Sequence, residues 1–147
     1  MRFLNANAAT QVIASDQERA YFTYSILQEK ASAYKKITYK NIYPGIDISF
    51  YFNGNGKAGF EYSIKVQRGA NPSAVKMIFG GDVKMLQEQN DGAMRMRSDF
   101  GSFEHSKPVG FYEDAPEQKI GCTFKRDKNI LSCAIVGKYD TTKTVIV

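Results

Sequence analysis

The sequence predicts an all-β domain, a two-sheet antiparallel β-sandwich of about ten short strands. Apolar and polar residues alternate with a period of two along several short runs. Gly, Asn, Asp and Pro residues, which favour turns, separate these runs at close intervals. The length of 147 residues suits a single domain, 1–147, and a content of 43% apolar and 13% aromatic residues indicates a packed core.

The N-terminal third contains the one stretch that departs from this pattern. The segment 15–18, Ser-Asp-Gln-Glu, fits a helix capping box, which would begin a short helix running toward Lys30. The aromatic residues from Tyr21 to Tyr24 favour a strand instead. The segment is therefore expected to be either a loop or one short helix.

The clearest strands are expected at 46–52 and 60–66. In both runs the even positions are apolar and the odd positions are mostly polar, so the even side chains should enter the core while the odd ones meet water. The loop between the runs is rich in Gly and Asn and includes Asn55 and Gly56. It indicates an antiparallel hairpin.

Two turns frame this hairpin. Pro44 and Gly45 occupy the second and third positions of a type II turn, and Asp47 follows directly. Asn71 and Pro72 mark the second turn, where the proline must end a strand or lie at a sheet edge. Further strands should follow at 75–79, 83–87, 93–97, 102–105, 109–112, 121–126, 130–136 and 144–147.

Cys122 and Cys133 lie on the two strands of the last predicted hairpin. A turn symmetric about Asp127 and Lys128 would place the cysteines directly opposite each other, near enough for a disulfide. The alternative is two buried thiols that pack as small hydrophobic side chains. No metal site and no cofactor are expected, because the single histidine, His105, has no second nitrogen ligand near it.

The charge and hydropathy of the chain indicate which classes of partner are not expected. The formal net charge is +5 and the pI is about 9.1, but the basic residues are scattered and no recognition motif accompanies them, so nucleic acid is not an expected partner. No run of 18 apolar residues exists, so no membrane span is expected within the chain. The segment Met1–Leu4 shows no signal peptide.

The sequence does not predict an enzyme. His105 points away from Ser102 and Glu104 if the segment is a strand, so the three form no triad, and an ordinary surface histidine is expected. Asp47 and Glu61 share the polar face of one hairpin and could act as the carboxylate pair of a glycoside hydrolase. Such residues usually form the solvated face of a strand, which makes the hydrolase the weakest alternative.

Aromatic side chains are the candidates for ligand binding. Tyr51 falls on the polar face of the 46–52 strand, and Tyr24 and Tyr39 belong to a group of tyrosines in the N-terminal third. Rings on a flat β face can stack on sugars or on partner proteins. The alternative is that these rings pack beneath a loop or cover a sheet edge.

A series of short motifs runs along most of the chain. In order they are YKNIYPGID at 39–47, FEY at 60–62, GANP at 69–72, KPV at 107–109 with Tyr112, GKYD at 137–140 and VIV at 145–147. Together they resemble the N-terminal β-rich domain of bacterial proteins that carry SBBP-type β-propeller repeats. The chain departs from that pattern at Arg68, where the family usually has Pro, at Asn71, where it usually has Asp, and at its two cysteines.

This resemblance implies a non-catalytic module of an extracellular or cell-surface protein, often from the Bacteroidota, of which the chain would be a fragment. The implied role is structural or adhesive, and the module would present or cap downstream repeats. Its partners would be other domains of the same polypeptide, a surface protein or a glycan. A carbohydrate-binding module that uses exposed tyrosines is the alternative.

Overall fold

The computed structural model describes residues 1–24, 27–52 and 59–147. These residues form fourteen strands and one 3-10 turn at Pro72–Ala74, and they include no α-helix. The strands are β1 (Arg2–Phe3), β2 (Gln11–Tyr24), β3 (Leu27–Tyr43), β4 (Ile46–Tyr51), β5 (Glu61–Val66), β6 (Lys76–Ile78), β7 (Met85–Glu88), β8 (Met94–Ser98), β9 (Gly101–His105), β10 (Gly110–Tyr112), β11 (Ala115–Ile120), β12 (Cys122–Asp127), β13 (Ile130–Ile135) and β14 (Val145–Ile146).

Three antiparallel sheets build the fold, which confirms the all-β sandwich class. The largest sheet has seven strands in the order β11-β10-β14-β5-β4-β3-β2. A four-stranded sheet has the order β1-β6-β13-β12, and a three-stranded sheet has the order β7-β8-β9. Consecutive strands are mostly neighbours, as short hairpin connections require.

The four-stranded sheet provides the common layer against which the other two sheets pack. One core cluster joins Cys133 of β13 to side chains of the seven-stranded sheet, including Ile46 and Ile48. A second cluster joins Leu131 of β13 to Met94 and others of the three-stranded sheet. Because residues two apart on a strand lie on the same face, a single face of β13 serves both clusters.

The predicted alternation holds through the centre of the β4–β5 hairpin and fails at its far end. Ile46, Ile48 and Ile64 are each at most 3% exposed, which confirms that the even positions enter the core. Phe52 and Phe60, also at even positions, are 68% and 57% exposed, so the expectation of burial was wrong there. The turn residues Asn55 and Gly56 lie outside the described part of the chain.

Both framing turns form as predicted. Gly45 has φ of +69°, the left-handed conformation that the third position of a type II turn requires, and Pro44 precedes it. Asn71 caps the 3-10 turn that begins at Pro72, and its side-chain Oδ1 accepts a hydrogen bond from the amide of Ser73 at 3.0 Å.

The helix or loop expected between Ser15 and Lys30 was wrong. The described residues of this region belong to β2 and β3, which pair with each other from Gln11 and Lys40 to Tyr24 and Leu27. The capping box is a short-range signal, and the aromatic and β-branched residues that follow it fit a strand better. Ser15 instead pairs with Lys36 in the ladder.

Candidate functional site

Asp47 is the buried charged residue of the described chain, at 4% exposure, so the expectation that it lies on a solvated face was wrong. The reason is a bulge in β3. Tyr39 pairs with Ile48 and Tyr43 pairs with Ile46, so three residues of β3 stand opposite Asp47 alone. A bulge of this kind bends and twists its strand, and here Asp47 is buried beside it.

The Asp47 carboxylate stabilises the bulge in β3 through two hydrogen bonds. It accepts hydrogen bonds of 2.7 Å from the Lys40 ammonium and 2.7 Å from the backbone amide of Asn41. Burial opposes ionisation, but these bonds together with the Lys40 and Lys65 charges hold the pKa of the Asp47 carboxyl below its ordinary value of 3.8. Asp47 therefore supplies an acceptor to an amide that the bulge removes from the ladder.

Asn41 completes this corner of the sheet. Its φ of +53° lies in the left-handed region, which Asn tolerates better than most residues. The Asn41 side-chain oxygen accepts a hydrogen bond from the Gly45 amide at 3.3 Å, and its carbonyl accepts one from the Asn7 side chain at 3.1 Å. Asp47 in the YPGID segment and Asn41 just before it thus form hydrogen bonds that hold the backbone of this corner in place.

The carboxylate pair considered for glycoside hydrolysis is not brought together. Glu61 pairs with Tyr51, four residues along β4 from Asp47. At about 3.4 Å per residue, the two carboxylates are separated by roughly 14 Å along the sheet, more than the separation glycosidases use.

Tyr51 lies on the outer face of the seven-stranded sheet, which we define as the face pointing away from the four-stranded sheet. It stands between Lys36 on β3 and Glu61 on β5 and is partly exposed. Burial and then the Glu61 charge raise the pKa of the Tyr51 hydroxyl, against a hydrogen bond with Ser63. The ring is therefore held among polar groups on an open β surface.

Tyr39 and Tyr51 cannot contact one ligand together. Tyr39 pairs with the fully buried Ile48, and its ring meets Phe50 edge-on with the centroids 5.9 Å apart. That places Tyr39 on the core face, opposite to Tyr51. Tyr24 ends β2, and its side chain lies outside the described part of the structure.

Beyond β4, strands β2 and β3 continue as a two-stranded arm, which we define as residues 17–24 and 27–34. The last ladder pair between β3 and β4 joins Lys36 to Tyr51, and one more bond joins the Phe52 amide to the Lys35 carbonyl. Past this point no strand among the described residues pairs with β3 on that side. In the described part of the chain, the arm therefore extends past the end of β4.

The arm exposes three aromatic rings. Tyr21, Phe22 and Tyr34 are 54%, 60% and 39% exposed. Because Tyr21 and Phe22 are adjacent on one strand, they point to opposite faces of the arm. The Lys30 ammonium lies 4.3 Å from the Tyr21 ring centroid. The aromatic residues Tyr21, Phe22 and Tyr24 were the sequence signal for this surface, and they were interpreted as evidence against a helix and, for the tyrosines, as candidates for ligand binding.

Strand β2 also forms one edge of the seven-stranded sheet. At 14 residues it is much longer than β11, the 6-residue strand at the other edge, which carries Pro116. Proline and short length protect an edge from pairing with another chain. On β2, register irregularities between Gln17 and Tyr21 and between Thr23 and Tyr24 interrupt the edge, and regular pairing remains at 11–15 and 21–23.

His105 is partly buried in an aromatic cluster, so the expectation of an ordinary surface histidine was wrong. Tyr62 and Phe79 each lie with ring centroids 5.5 Å from the imidazole, and Phe124 lies 6.2 Å away. The Tyr62 hydroxyl is 3.4 Å from His105 Nδ1. Burial lowers the pKa of His105 below its ordinary 6.5, so the imidazole stays neutral near pH 7.

Cys122 and Cys133 are free thiols, and they are not directly opposite each other as the sequence had suggested. Cys133 pairs with Phe124, whereas Cys122 pairs with Ile135. Lys128 adopts a φ of +53°, which makes the turn two residues long instead of four and shifts the register.

Most of the positive charge beside the corner is locally neutralised. A shallow groove is lined by Lys40, Lys65, Gln67, Arg68, Glu113, Asp114, Thr142, Lys143 and Thr144. Three of its lysines form ion pairs with Asp47, Glu113 and Asp114. Among the described residues, no group of three His, Cys, Asp or Glu side chains could hold a metal ion, and no helix is long and apolar enough to cross a membrane.

The fold and these surfaces define an all-β sandwich module with a projecting arm. The model of a family described as a domain of unknown function, DUF7948, matches residues 1–147, so the chain belongs to that family. No curated protein and no solved structure matches the chain.

Proposed function

We propose that this chain is a non-catalytic module of an exported or cell-surface bacterial protein, where it binds protein through its β2–β3 arm. The partner would be downstream repeats of the same polypeptide or another surface protein. The surface location rests on the resemblance of the YPGID segment and the motifs after it to the N-terminal domain of SBBP-repeat proteins, which are often from the Bacteroidota.

The arm is the observation that carries the proposal. A two-stranded ribbon with both faces open to water is marginally stable at best, because it has no core of its own. The arm nevertheless carries Tyr21, Phe22 and Tyr34 with much of each ring exposed. Full burial of such a ring contributes about 2 kcal/mol, so a partner covering the arm would stabilise both the arm and the complex.

The free edge of β2 offers a second means of recognition. Backbone groups on the outer side of Tyr21–Thr23 have no strand partner among the described residues. An extended segment that adds to this edge would gain main-chain hydrogen bonds and would place alternate side chains next to the arm aromatics. The same contact explains why aromatic residues stand on both faces of the arm.

The experiment is a binding measurement with arm variants. The downstream repeats that the proposal names as partner are produced separately, and their affinity for this chain is measured by calorimetry. Phe22→Ser with Tyr34→Ser should weaken binding by about tenfold or more, as expected for exposed aromatic anchors. Phe100→Ser, at an 88% exposed ring between β8 and β9, is the matched control and should change nothing.

If Phe100→Ser weakened binding as much as the double arm variant does, the arm would not be the binding surface. Absence of binding by the wild-type chain, both to those repeats and to surface proteins of the same cell, would reject a protein-binding role. Equal melting temperatures of the three proteins verify that the substitutions leave the fold intact.

A carbohydrate-binding module is the second candidate, favoured by Tyr51. Its ring lies on the open outer face with hydroxyl and charged neighbours, an arrangement in which a sugar can stack and hydrogen-bond. On a glycan array, saturable binding that is lost in Tyr51→Ala and kept in Tyr51→Phe would support this candidate. No binding to any glycan would reject it.

A further inference from the structure

We propose that Tyr21, Tyr34 and Tyr51 form one platform on the outer face of the seven-stranded sheet, and that it binds an extended acidic polysaccharide. This inference deepens the carbohydrate-binding candidate and rests on it. It adds two rings to Tyr51, commits the ligand to a chain of several uronic-acid units, and gives the site a direction across three strands.

The strand register places all three rings on one face. Tyr51 pairs with Lys36 of β3, and Tyr34 lies two residues before Lys36 on the same strand. Tyr21 pairs with Ser32, which lies two residues before Tyr34. Directly paired residues of antiparallel strands share a face, as do residues two apart on one strand. All three tyrosines therefore lie on the outer face.

Two side-chain contacts confirm this assignment for the arm, where β2 carries its register irregularity. The Gln17 side-chain amide donates a hydrogen bond of 3.1 Å to the Ser32 hydroxyl. The Lys30 ammonium lies 4.3 Å from the Tyr21 ring centroid, and Lys30 is two residues from Ser32 on β3. Both contacts join side chains of one face, so the irregularity leaves Tyr21 on the face that Gln17 and Ser32 share.

The rings form a diagonal line. The steps from Tyr21 to Tyr34 and from Tyr34 to Tyr51 each cross one strand and advance two residues along β3. With about 3.4 Å per residue and about 4.8 Å between strands, neighbouring positions are roughly 8 Å apart, and the line is roughly 17 Å long. An extended chain of several sugar units can contact all three rings, whereas a single sugar would meet only one.

The exposure of the rings and their polar neighbours suit a sugar chain. Tyr21 is 54% exposed and Tyr34 is 39% exposed. The side chains that separate these two rings, Gln17 and Ser32, offer amide and hydroxyl groups. Flat phenol rings can stack on the apolar face of a sugar ring while such groups hydrogen-bond to the sugar hydroxyls.

The charge of the platform favours an acidic chain. Lys30 lies beside Tyr21 at one end of the line, and Lys36 pairs with Tyr51 at the other. Neither lysine forms an ion pair with another described residue. Glu61 lies on the far side of Tyr51, beyond the line of rings. A carboxylate-bearing sugar can therefore gain a charge-assisted hydrogen bond at each end. Charged residues are depleted at the centre of protein interfaces, which argues against a protein partner on this face.

The experiment measures binding of polygalacturonate oligosaccharides to the full chain by calorimetry at low salt. We expect saturable binding of a hexasaccharide, weakened at least about fivefold in Tyr21→Ser and in Tyr34→Ser, because each variant removes one stacking ring. Lys36→Gln should weaken binding of the same ligand and reduce its dependence on salt. A disaccharide, which meets one ring, should bind about tenfold less tightly or weaker.

Phe22→Ser is the matched control, because Phe22 pairs with Ala31 on the opposite face of the arm and is 60% exposed. It should bind the hexasaccharide as the wild type does. Polyaspartate supplies the negative charge without sugar rings, so it should bind more weakly than polygalacturonate of equal charge. Equal melting temperatures verify that the variants remain folded.

The outcomes separate this inference from the candidate beneath it. Binding that depends on Tyr51 alone would overturn the platform and leave the carbohydrate-binding candidate standing. Tighter binding of a neutral glucan, or equal binding of polyaspartate, would overturn the acidic ligand class. Equal weakening in Phe22→Ser would overturn the platform, because the effect would not belong to one face of the arm. Absence of binding to every glycan would reject both the candidate and this inference.

Discussion

Asp47 should be the most sensitive polar position of the fold. Asp47→Ala removes the acceptor for the Asn41 amide and the partner of the Lys40 ammonium. Asp47→Asn keeps an oxygen for the Asn41 amide but loses the charge. Comparison of the two variants therefore separates the hydrogen bond from the ion pair.

The magnitude follows from the exposure of each partner. A hydrogen bond to a charged group contributes about 1.5–3 kcal/mol, and the bond from the Asn41 amide to the Asp47 carboxylate is of this kind and partly buried. The Lys40 side chain is 45% exposed, so water can solvate it after the substitution, and the ion pair adds at most about 1 kcal/mol. We expect the free energy of unfolding to decrease by about 3 kcal/mol in Asp47→Ala and by about 1 kcal/mol in Asp47→Asn.

The assay is urea unfolding of both variants and of Lys40→Met, alone and combined with Asp47→Asn. At about 2–4 °C per kcal/mol for a chain of this size, Asp47→Ala should also melt about 6–12 °C lower. If Asp47→Ala lowered the free energy of unfolding by less than about 0.5 kcal/mol, the reasoning would be refuted, because ordinary surface substitutions have effects of that size.

The pH dependence of the wild type gives an independent check of the same site. The pKa of Asp47 is lower in the folded chain than its ordinary 3.8, so the unfolded chain binds the proton first as the pH falls. The stabilisation is present above about pH 4 and is lost as the pH falls through the folded pKa. Asp47→Asn should lack this contribution.

Three further predictions concern other parts of the molecule. Burial holds the pKa of His105 in the folded chain below 6.5, so the His105 contribution to the free energy of unfolding should be constant above about pH 6.5 and decrease below it. In urea titrations at several pH values, His105→Phe should remove that decrease. Gly45→Ala should cost about 1–2 kcal/mol in urea unfolding, because its φ is +69° and the new Cβ would meet Ala70 at 3.0 Å. Gly110→Ala should lower the melting temperature by several degrees, since its Cβ would displace the Cys122 sulfur. A flat pH profile, or glycine variants as stable as the wild type, would contradict these arguments.

The short hairpins could be predicted from sequence because alternation and turn chemistry are local. Strands β4 and β5, and the hairpin with Asp91 and Gly92 at its turn, follow from such signals. Strand β11 was missed because Pro116 and the polar residues after it look like a loop. Its pairing with β10 comes from tertiary context.

The geometry of the sites could be predicted less well from the sequence, because it depends on the backbone conformation at single positions. The cysteine register changed when Lys128 took a left-handed φ and shortened the turn. The burial of Asp47 depends on the bulge in β3, and a period of two cannot reveal a bulge. In both cases the alternation of apolar and polar residues predicted where the strands lie. A local backbone conformation, at Lys128 in one case and at the β3 bulge in the other, determined which side chains contact each other.

The corner and the arm are connected through β3. The bulge beside Asp47 lies near the C-terminal end of this strand, and the arm begins where the same strand leaves β4. A bulge increases local twist, and twist sets the direction of the strand that leaves the sheet. The four pairs that join Lys36–Tyr39 to β4 connect the bulge with the arm, so a change of twist at the bulge would reach Tyr34 through this ladder. A partner that contacts the arm and the body together should therefore bind Asp47→Ala more weakly than Gly110→Ala, even at temperatures where both variants are fully folded.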